Sequence, residues 1–373
     1  MKVPINRRNL LVSSAAGAVM LAAGSATHAE TAGLADAKAL VDKHLQVPQF
    51  EATMPAFDAS CAKGKKLLSI PVSSTIPFVQ GVEEGLETTG EELGLTVMHW
   101  KNQGNPTQWV QGVEYAISNQ FDAIDLFGGI IPSSIGPQIK AARDAGIKIF
   151  GASYSDTTQE GDPLADVTLA QPYSKAGEII AAWIATQTDG KANVLIIGSD
   201  DIQQSQPFAK AIGMALDEAC DGGCAHKYSN VNIPDWATKI QTTVQSALLA
   251  DPSINYVVPL YDSMSQFVLP ALAITGRKDD VKIATFNGTP EVLDMVRNGD
   301  VEMDVGESLS WMARSMLDGY MRGMCDMDGG KELNVPLRIF TRDNVEDAGV
   351  PAAFNKGYGD SDVDGYKALW GMK

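Results

Sequence analysis

Lys282–Leu293, KIATFNGTPEVL, runs from a short apolar segment straight into Asn287-Gly288-Thr289-Pro290 and on into a new periodic segment. A strand, a tight turn and a helix opened by proline make one βα unit. A strand apolar on both faces belongs in a parallel sheet covered by helices. Asn287 therefore needs a reason, being an amide at the tip of a buried strand.

Working outward, the same grammar repeats. LLSIPVSS, TVMHW, AIDLFGG and KIFGAS are apolar runs separated by helical stretches at Pro77 to Leu93, Pro106 to Gln120 and Pro132 to Ala145. From VTLAQ onward a second set follows: NVLIIGS, KYSNVNI, NYVVPLYD and KIATFNG, with helices near 172–188, 204–219, 236–250, 264–275 and 290–298. Two consecutive sets of four or five βα units predict two doubly wound parallel-sheet lobes, since one open sheet of that many strands would be unusual. The crossing between them is placed at Ser155 to Asp166. A further strand, VEMDVGES, and a helix from Trp311 to Met324 suggest a return to the first lobe, giving a multi-strand hinge. The expected organisation is a signal peptide at 1–29 and an approach segment at 30–63. The first lobe then takes 64–155 plus 308–335, and the second takes 156–307 plus 336–373 with the C-terminal extension.

Lys2, Arg7 and Arg8 precede an apolar run from Leu10 to Ala23, and SATHAE offers small residues for cleavage near Ala29. That pattern predicts an exported, periplasmic protein and leaves the Sec and twin-arginine routes both open. The remainder carries 26 Lys and Arg against 46 Asp and Glu, a formal charge of −20. Such a surface disfavours nucleic acid and anionic membranes. Four cysteines in an oxidising compartment allow three pairings. Cys220 and Cys224 flank Asp221-Gly222-Gly223 and are the first choice for a disulfide; Cys61 and Cys325 either pair with each other or stay as small hydrophobes. No His lies at ligand spacing from a Cys, so no metal and no cofactor are expected.

Ligands of open parallel sheets bind outside the carboxyl ends of the strands. The residues there are Ser73, Ser74, Thr75 and Phe78; Ser153 and Tyr154; Asp200, Asp201 and Gln206; Trp236; Tyr261 and Asp262; Asn287; and Glu307. Aromatic rings cover the C–H faces of a sugar or polyol, while amides and carboxylates satisfy its ring of hydroxyls. Asp262 could instead cap the following helix. Against an enzyme stand the lack of a Gly-rich phosphate loop and of a G-x-S-x-G elbow, and four histidines (His28, His44, His99, His226) none of which falls on this rim. A paired-carboxylate arrangement of Asp262 with Glu307 is the remaining catalytic possibility.

The restart of βα units, IPF after the first strand, NGTPE after a late strand and the order of the rim residues together resemble the type I periplasmic binding proteins of sugar ABC importers, the ribose-binding branch in particular, over about residues 65–340. The resemblance implies a monomer that captures a small sugar or polyol between closing lobes and delivers it to an ABC permease. It implies ligand contacts at Phe78, Ser153, Tyr154, Gln206, Trp236, Tyr261, Asn287 and Glu307. Where that branch has two basic residues this chain has Tyr154 and Gln206, and where it has acids this chain has Ser153 and Asn287. Those departures imply a ligand other than ribose: another sugar, a polyol or a small cationic amine. A sensor feeding a receptor or histidine kinase is the alternative role.

Overall fold

The computed structural model describes Met1 and residues 32–372. The expected signal peptide and its cleavage point lie outside the described residues. The chain enters with helix α1 (Ala32–His44) and a 3-10 turn (Ala59–Ala62). It then builds β1 (Lys66–Pro71), α2 (Pro77–Leu93), β2 (Thr96–His99), α3 (Pro106–Ser118), β3 (Ala123–Phe127), α4 (Gly136–Asp144), β4 (Lys148–Asp156) and β5 (Val167–Gln171). These five strands form one sheet in the order β2-β1-β3-β4-β5, parallel throughout.

The second half runs α5 (Tyr173–Gln187), β6 (Asn193–Gly198), α6 (Ser205–Ala219), β7 (Ala225–Asn230), α7 (Trp236–Ala250), β8 (Tyr256–Pro259), α8 (Ser265–Ile274), β9 (Lys282–Asn287), α9 (Pro290–Asn298) and β10 (Met303–Glu307). Helix α10 (Leu309–Met324), strand β11 (Leu337–Thr341) and helix α11 (Ser361–Leu369) complete the chain. The second sheet has the order β11-β10-β9-β8-β6-β7, with β11 alone antiparallel. The molecule is thus two α/β lobes with doubly wound sheets.

Strands β1, β3, β6 and β9 are buried over nearly their whole length because helices cover both faces, as their unbroken apolar sequences require, while the edge strands β2 and β7 are largely exposed. Proline at the first turn of α2, α3 and α9 starts those helices where an amide hydrogen would be unbonded anyway. Helix α10 returns to the first lobe and lies against α2. Gly85 permits that approach, since a Cβ there would stand 2.8 Å from the Ala313 methyl.

Two expectations about organisation need correcting. Val167–Gln171, read above as the start of the second set, pairs with β4 in the first sheet, with a register shift between Ala152 and Asp156. The polar stretch 157–166 is a loop on one lobe, and the chain crosses only after Gln171. The tail assigned to the second lobe is divided: the turn Val345–Ala348 packs on α9, but α11 packs on α10 of the first lobe. There Trp370 Nε1 donates to Asp318 at 2.9 Å and Arg314 pairs with Asp362 at 2.8 Å. The approach segment likewise straddles the lobes, because α1 packs on α5 and α6 before 45–63 leads to β1. Among the described residues the chain therefore passes between lobes at five places: 45–63, 171–173, 307–309, 325–336 and 349–360.

Both cysteine pairs are bridged, Cys61 with Cys325 and Cys220 with Cys224. Among the described residues no helix is long and apolar enough to cross a membrane.

Candidate functional site

The carboxyl ends of β1 and β3 face those of β8 and β9 across a cleft that encloses a cavity of about 20 Å³, counted as space open to the centre of a water molecule. That is room for about one water. The first lobe lines it with Val72, Ile76, Phe78, Val79 and Gly128; the second contributes Tyr173, Ile202, Trp236, Tyr261 and Asn287.

Each aromatic is fixed by its own polar end. Trp236, the first residue of α7, donates Nε1 to the Val231 carbonyl at 3.0 Å and lies near-parallel to Tyr261, with centroids 6.4 Å apart and planes at 18°. Ser205 Oγ donates to the Ser199 carbonyl at 2.6 Å, so the Tyr261 hydroxyl donates to Ser205 Oγ at 3.0 Å. The Tyr173 hydroxyl donates to the Ser153 carbonyl at 2.9 Å, tying the first residue of α5 to β4. Phe78 stacks on Phe127, 5.9 Å between centroids. With these donors engaged, the rings offer carbon faces to the cleft.

Asn287 is different. It ends β9 with φ +144, a conformation that L-residues seldom hold without surrounding support. Its side chain is 2% exposed, lines the cavity and has Oδ1 without a partner. A buried amide oxygen left so costs about 1–3 kcal/mol, which a ligand hydroxyl would relieve.

Of the eight residues with implied ligand contacts, together with Asp262, Phe78, Trp236, Tyr261 and Asn287 come together on the cavity, and the other five do not line it. Tyr154 turns back onto its own lobe: its ring lies over Gly151 and its hydroxyl meets Thr168 Oγ1. The neighbouring Ser153, at φ +60, breaks the strand's alternation there. Ser153 is fully buried with Oγ unpartnered, and it touches the site only through its carbonyl. Gln206 falls on the outer face of α6, exposed and bonded to Asp200 at 2.9 Å. Gln204, two residues earlier and missed above, is buried and donates Nε2 across the cleft to the Tyr154 carbonyl.

Asp262 is fully buried and engaged by Thr289, whose amide and hydroxyl each donate to Oδ2 at 2.7 Å. It therefore holds the start of α9, a structural role across two loops instead of within its own. Burial pushes its pKa up to about 6. Asp304, also missed, sits beside it, and burial together with that neighbour drives Asp304 well above the usual carboxylate range. Glu307 is fully buried at the hinge, accepts from Gln171 Nε2 and is likewise raised by burial and by Asp262. Tyr173 carries the same signal that marked Phe78 and Trp236, an aromatic at a helix start following a strand; Val72, Ile76 and Ile202 carried none, because aliphatic residues beside strands read as core. Among the described residues no group of three or more His, Cys, Asp or Glu is placed to hold a metal.

Comparison with known proteins agrees with this fold. The family model described as a periplasmic binding protein domain matches residues 68–321. The ribose import binding protein of Salmonella typhimurium is 24% identical over 256 residues, 66% of this chain and 80% of its own length. The Escherichia coli protein of the same name is 23% identical over 255 residues, again 66% and 80%. Among solved structures, the 5-methylthioribose transporter solute binding protein of Thermotoga lettingae superimposes with a TM-score of 0.67 at 19% identity, covering 83% of this chain and 95% of that one. An ABC transporter solute binding protein from Agrobacterium vitis, with bound allitol, gives 0.65 at 19% identity, covering 76% and 98%. With two α/β lobes, a cleft between their strand ends and a family match over most of its length, the chain belongs to the periplasmic binding protein family.

Proposed function

We propose that this protein is the solute-capturing component of an ABC importer, exported to the periplasm, where it closes on a small neutral sugar or polyol and presents it to a permease. The observation that carries the reading is the arrangement of Trp236, Tyr261 and the unpartnered Asn287 amide opposite Phe78 in one interlobe cavity. Two ring faces and an unsatisfied amide suit a polyhydroxylated molecule, whose C–H faces stack while a hydroxyl meets the amide. The relatives named for ribose import and the structures holding allitol or 5-methylthioribose support the same ligand class.

A cationic amine fits less well. Glu307 lies off the cavity, and burial disfavours its charged form, so no carboxylate lining the cavity compensates a cation. A hydrolytic pairing of Asp262 with Glu307 also lacks support, because Thr289 holds the first and Gln171 the second.

Capture works by closure. A ligand touching both lobes favours the closed form only by the difference in its affinity for the two forms. Taking a mostly open population to mostly closed needs roughly 5 kcal/mol of that difference. A thermal-shift screen of pentoses, hexoses, polyols and small amines tests the reading. Stabilisation by members of the first three classes is expected; stabilisation by amines alone would overturn it.

A further inference from the structure

Strand order in the two sheets lays out a gradient of polarity along the cleft. At the hinge stand β5 and β10, ending in Gln171 and Glu307, which bond to each other and leave Gln171 Oε1 and Glu307 Oε2 without partners. One strand inward from each come β4 and β9, with the unpartnered Ser153 Oγ and Asn287 Oδ1; of these groups Asn287 lines the cavity, while Ser153, Gln171 and Glu307 are buried beyond it on the hinge side. Away from the hinge the character reverses. The segments after β1 and β6 bring Val72, Ile76 and Ile202 to the cavity, and no lining residue of the first lobe carries a polar side chain. The aromatic donors between these two ends are already engaged by Ser205, Val231 and Ser153. Among the described residues no Lys, Arg or His lines the cavity.

A fully hydroxylated ligand would push hydroxyls against the Val72, Ile76 and Ile202 wall, where they would lose their hydration and gain no partner. A methyl or other hydroxyl-free group at that end is favoured by burial instead. We propose that the ligand is an amphipathic, uncharged sugar derivative, with hydroxyls directed toward Asn287 and the hinge and a deoxy or alkyl-substituted end seated against Val72, Ile76 and Ile202. The absence of a lining cation sets it apart from sugar acids and sugar phosphates. This inference rests on the sugar reading above and adds the ligand's chemical class and its orientation.

Calorimetric titration of the purified exported protein with matched pairs tests it: D-ribose with 5-deoxy-D-ribose, D-galactose with 6-deoxy-D-galactose, and D-xylose with its methyl glycoside. In at least one pair the deoxy or methyl member is expected to bind about tenfold or more tightly. Ile76→Thr and Ile202→Thr, one on each lobe, should bring the two affinities of that pair together, since each supplies a hydroxyl to the apolar wall. Equal or tighter binding of the parent sugar in every pair would overturn the amphipathic assignment and leave the sugar reading standing. A preference unchanged in both variants would overturn the placement of the apolar end. No binding of either member of any pair would remove the sugar reading and this inference with it.

Discussion

On the proposed function, Asn287 and Trp236 bear on one ligand in different ways. The amide is buried with an unpartnered oxygen in a backbone conformation that disfavours ordinary side chains, whereas the indole is anchored through Val231 and presents a face. Asn287→Ala and Trp236→Ala are each expected to weaken binding of the ligand found by screening by about 1–3 kcal/mol. Unchanged calorimetric affinity in either would remove that residue from the site. A second residue-level effect concerns Asp125 of β3, fully buried and accepting from the Tyr320 hydroxyl at 2.6 Å and Ser69 Oγ at 2.9 Å. Burial raises its pKa to about 7. The folded protein thus holds this proton more tightly than the unfolded chain does, so the group's contribution to stability falls as pH rises from about 4 to about 7 and is flat above. Asp125→Asn should gain on the parent across that window by an amount of order a few kcal/mol. Denaturation curves for parent and variant that stay parallel in pH would contradict it. The site was legible where side-chain chemistry coincided with a strand end, as at Trp236, Tyr261 and Asn287. It was illegible at Tyr154 and Gln204, where a positive-φ serine and a helix start decide which way each side chain turns. It was also illegible at Ile76 and Ile202, because a residue that lines a cavity and one that fills a core share the same sequence pattern.

At the scale of elements, the two disulfides constrain very different lengths of chain. Cys220 and Cys224 are four residues apart and staple the turn between α6 and β7, while Cys61 and Cys325 are separated by 264 residues and join the turn before β1 to the end of α10. By loop-closure entropy the long bridge restricts the unfolded chain more, by about 5 kcal/mol against about 2 for the short one. The Cys61→Ser/Cys325→Ser variant is therefore expected to unfold at clearly lower temperature than the Cys220→Ser/Cys224→Ser variant. The reverse order in thermal melts would show that native packing around the short staple matters more than chain entropy. The long bridge was open in the sequence because nothing local brings Cys61 near Cys325; only α10 folding back onto the first lobe does so. Strand and helix succession was readable from β1 to α10, since proline at helix starts and unbroken apolar runs are local signals, whereas α1, β11 and α11 were not read. The lobe to which β5 belongs was not, because pairing with β4 is a long-range choice that a polar loop at 157–166 does not reveal.

Over the whole molecule, five passages join the lobes, and on the proposed closure mechanism contacts across the cleft bias the balance before any ligand arrives. Gln204 Nε2 donating to the Tyr154 carbonyl is such a contact, made between lobes by a residue that does not line the cavity. It exists only when the lobes are together, so its free energy belongs wholly to the closed form. One hydrogen bond of this kind contributes about 1 kcal/mol, enough to change the ratio of closed to open by roughly fivefold. Gln204→Ala should then open the unliganded protein, seen as an increased radius of gyration in small-angle scattering. It should weaken apparent affinity by a similar factor for every ligand, because what it changes is the population of the binding-competent form. That uniformity separates it from Asn287→Ala, whose effect should vary with the hydroxyl the ligand presents. If Gln204→Ala left scattering unchanged yet discriminated among ligands, Gln204 would be touching the solute, and the bias toward closure would have to come from other contacts, the bond between Tyr173 and Ser153 foremost.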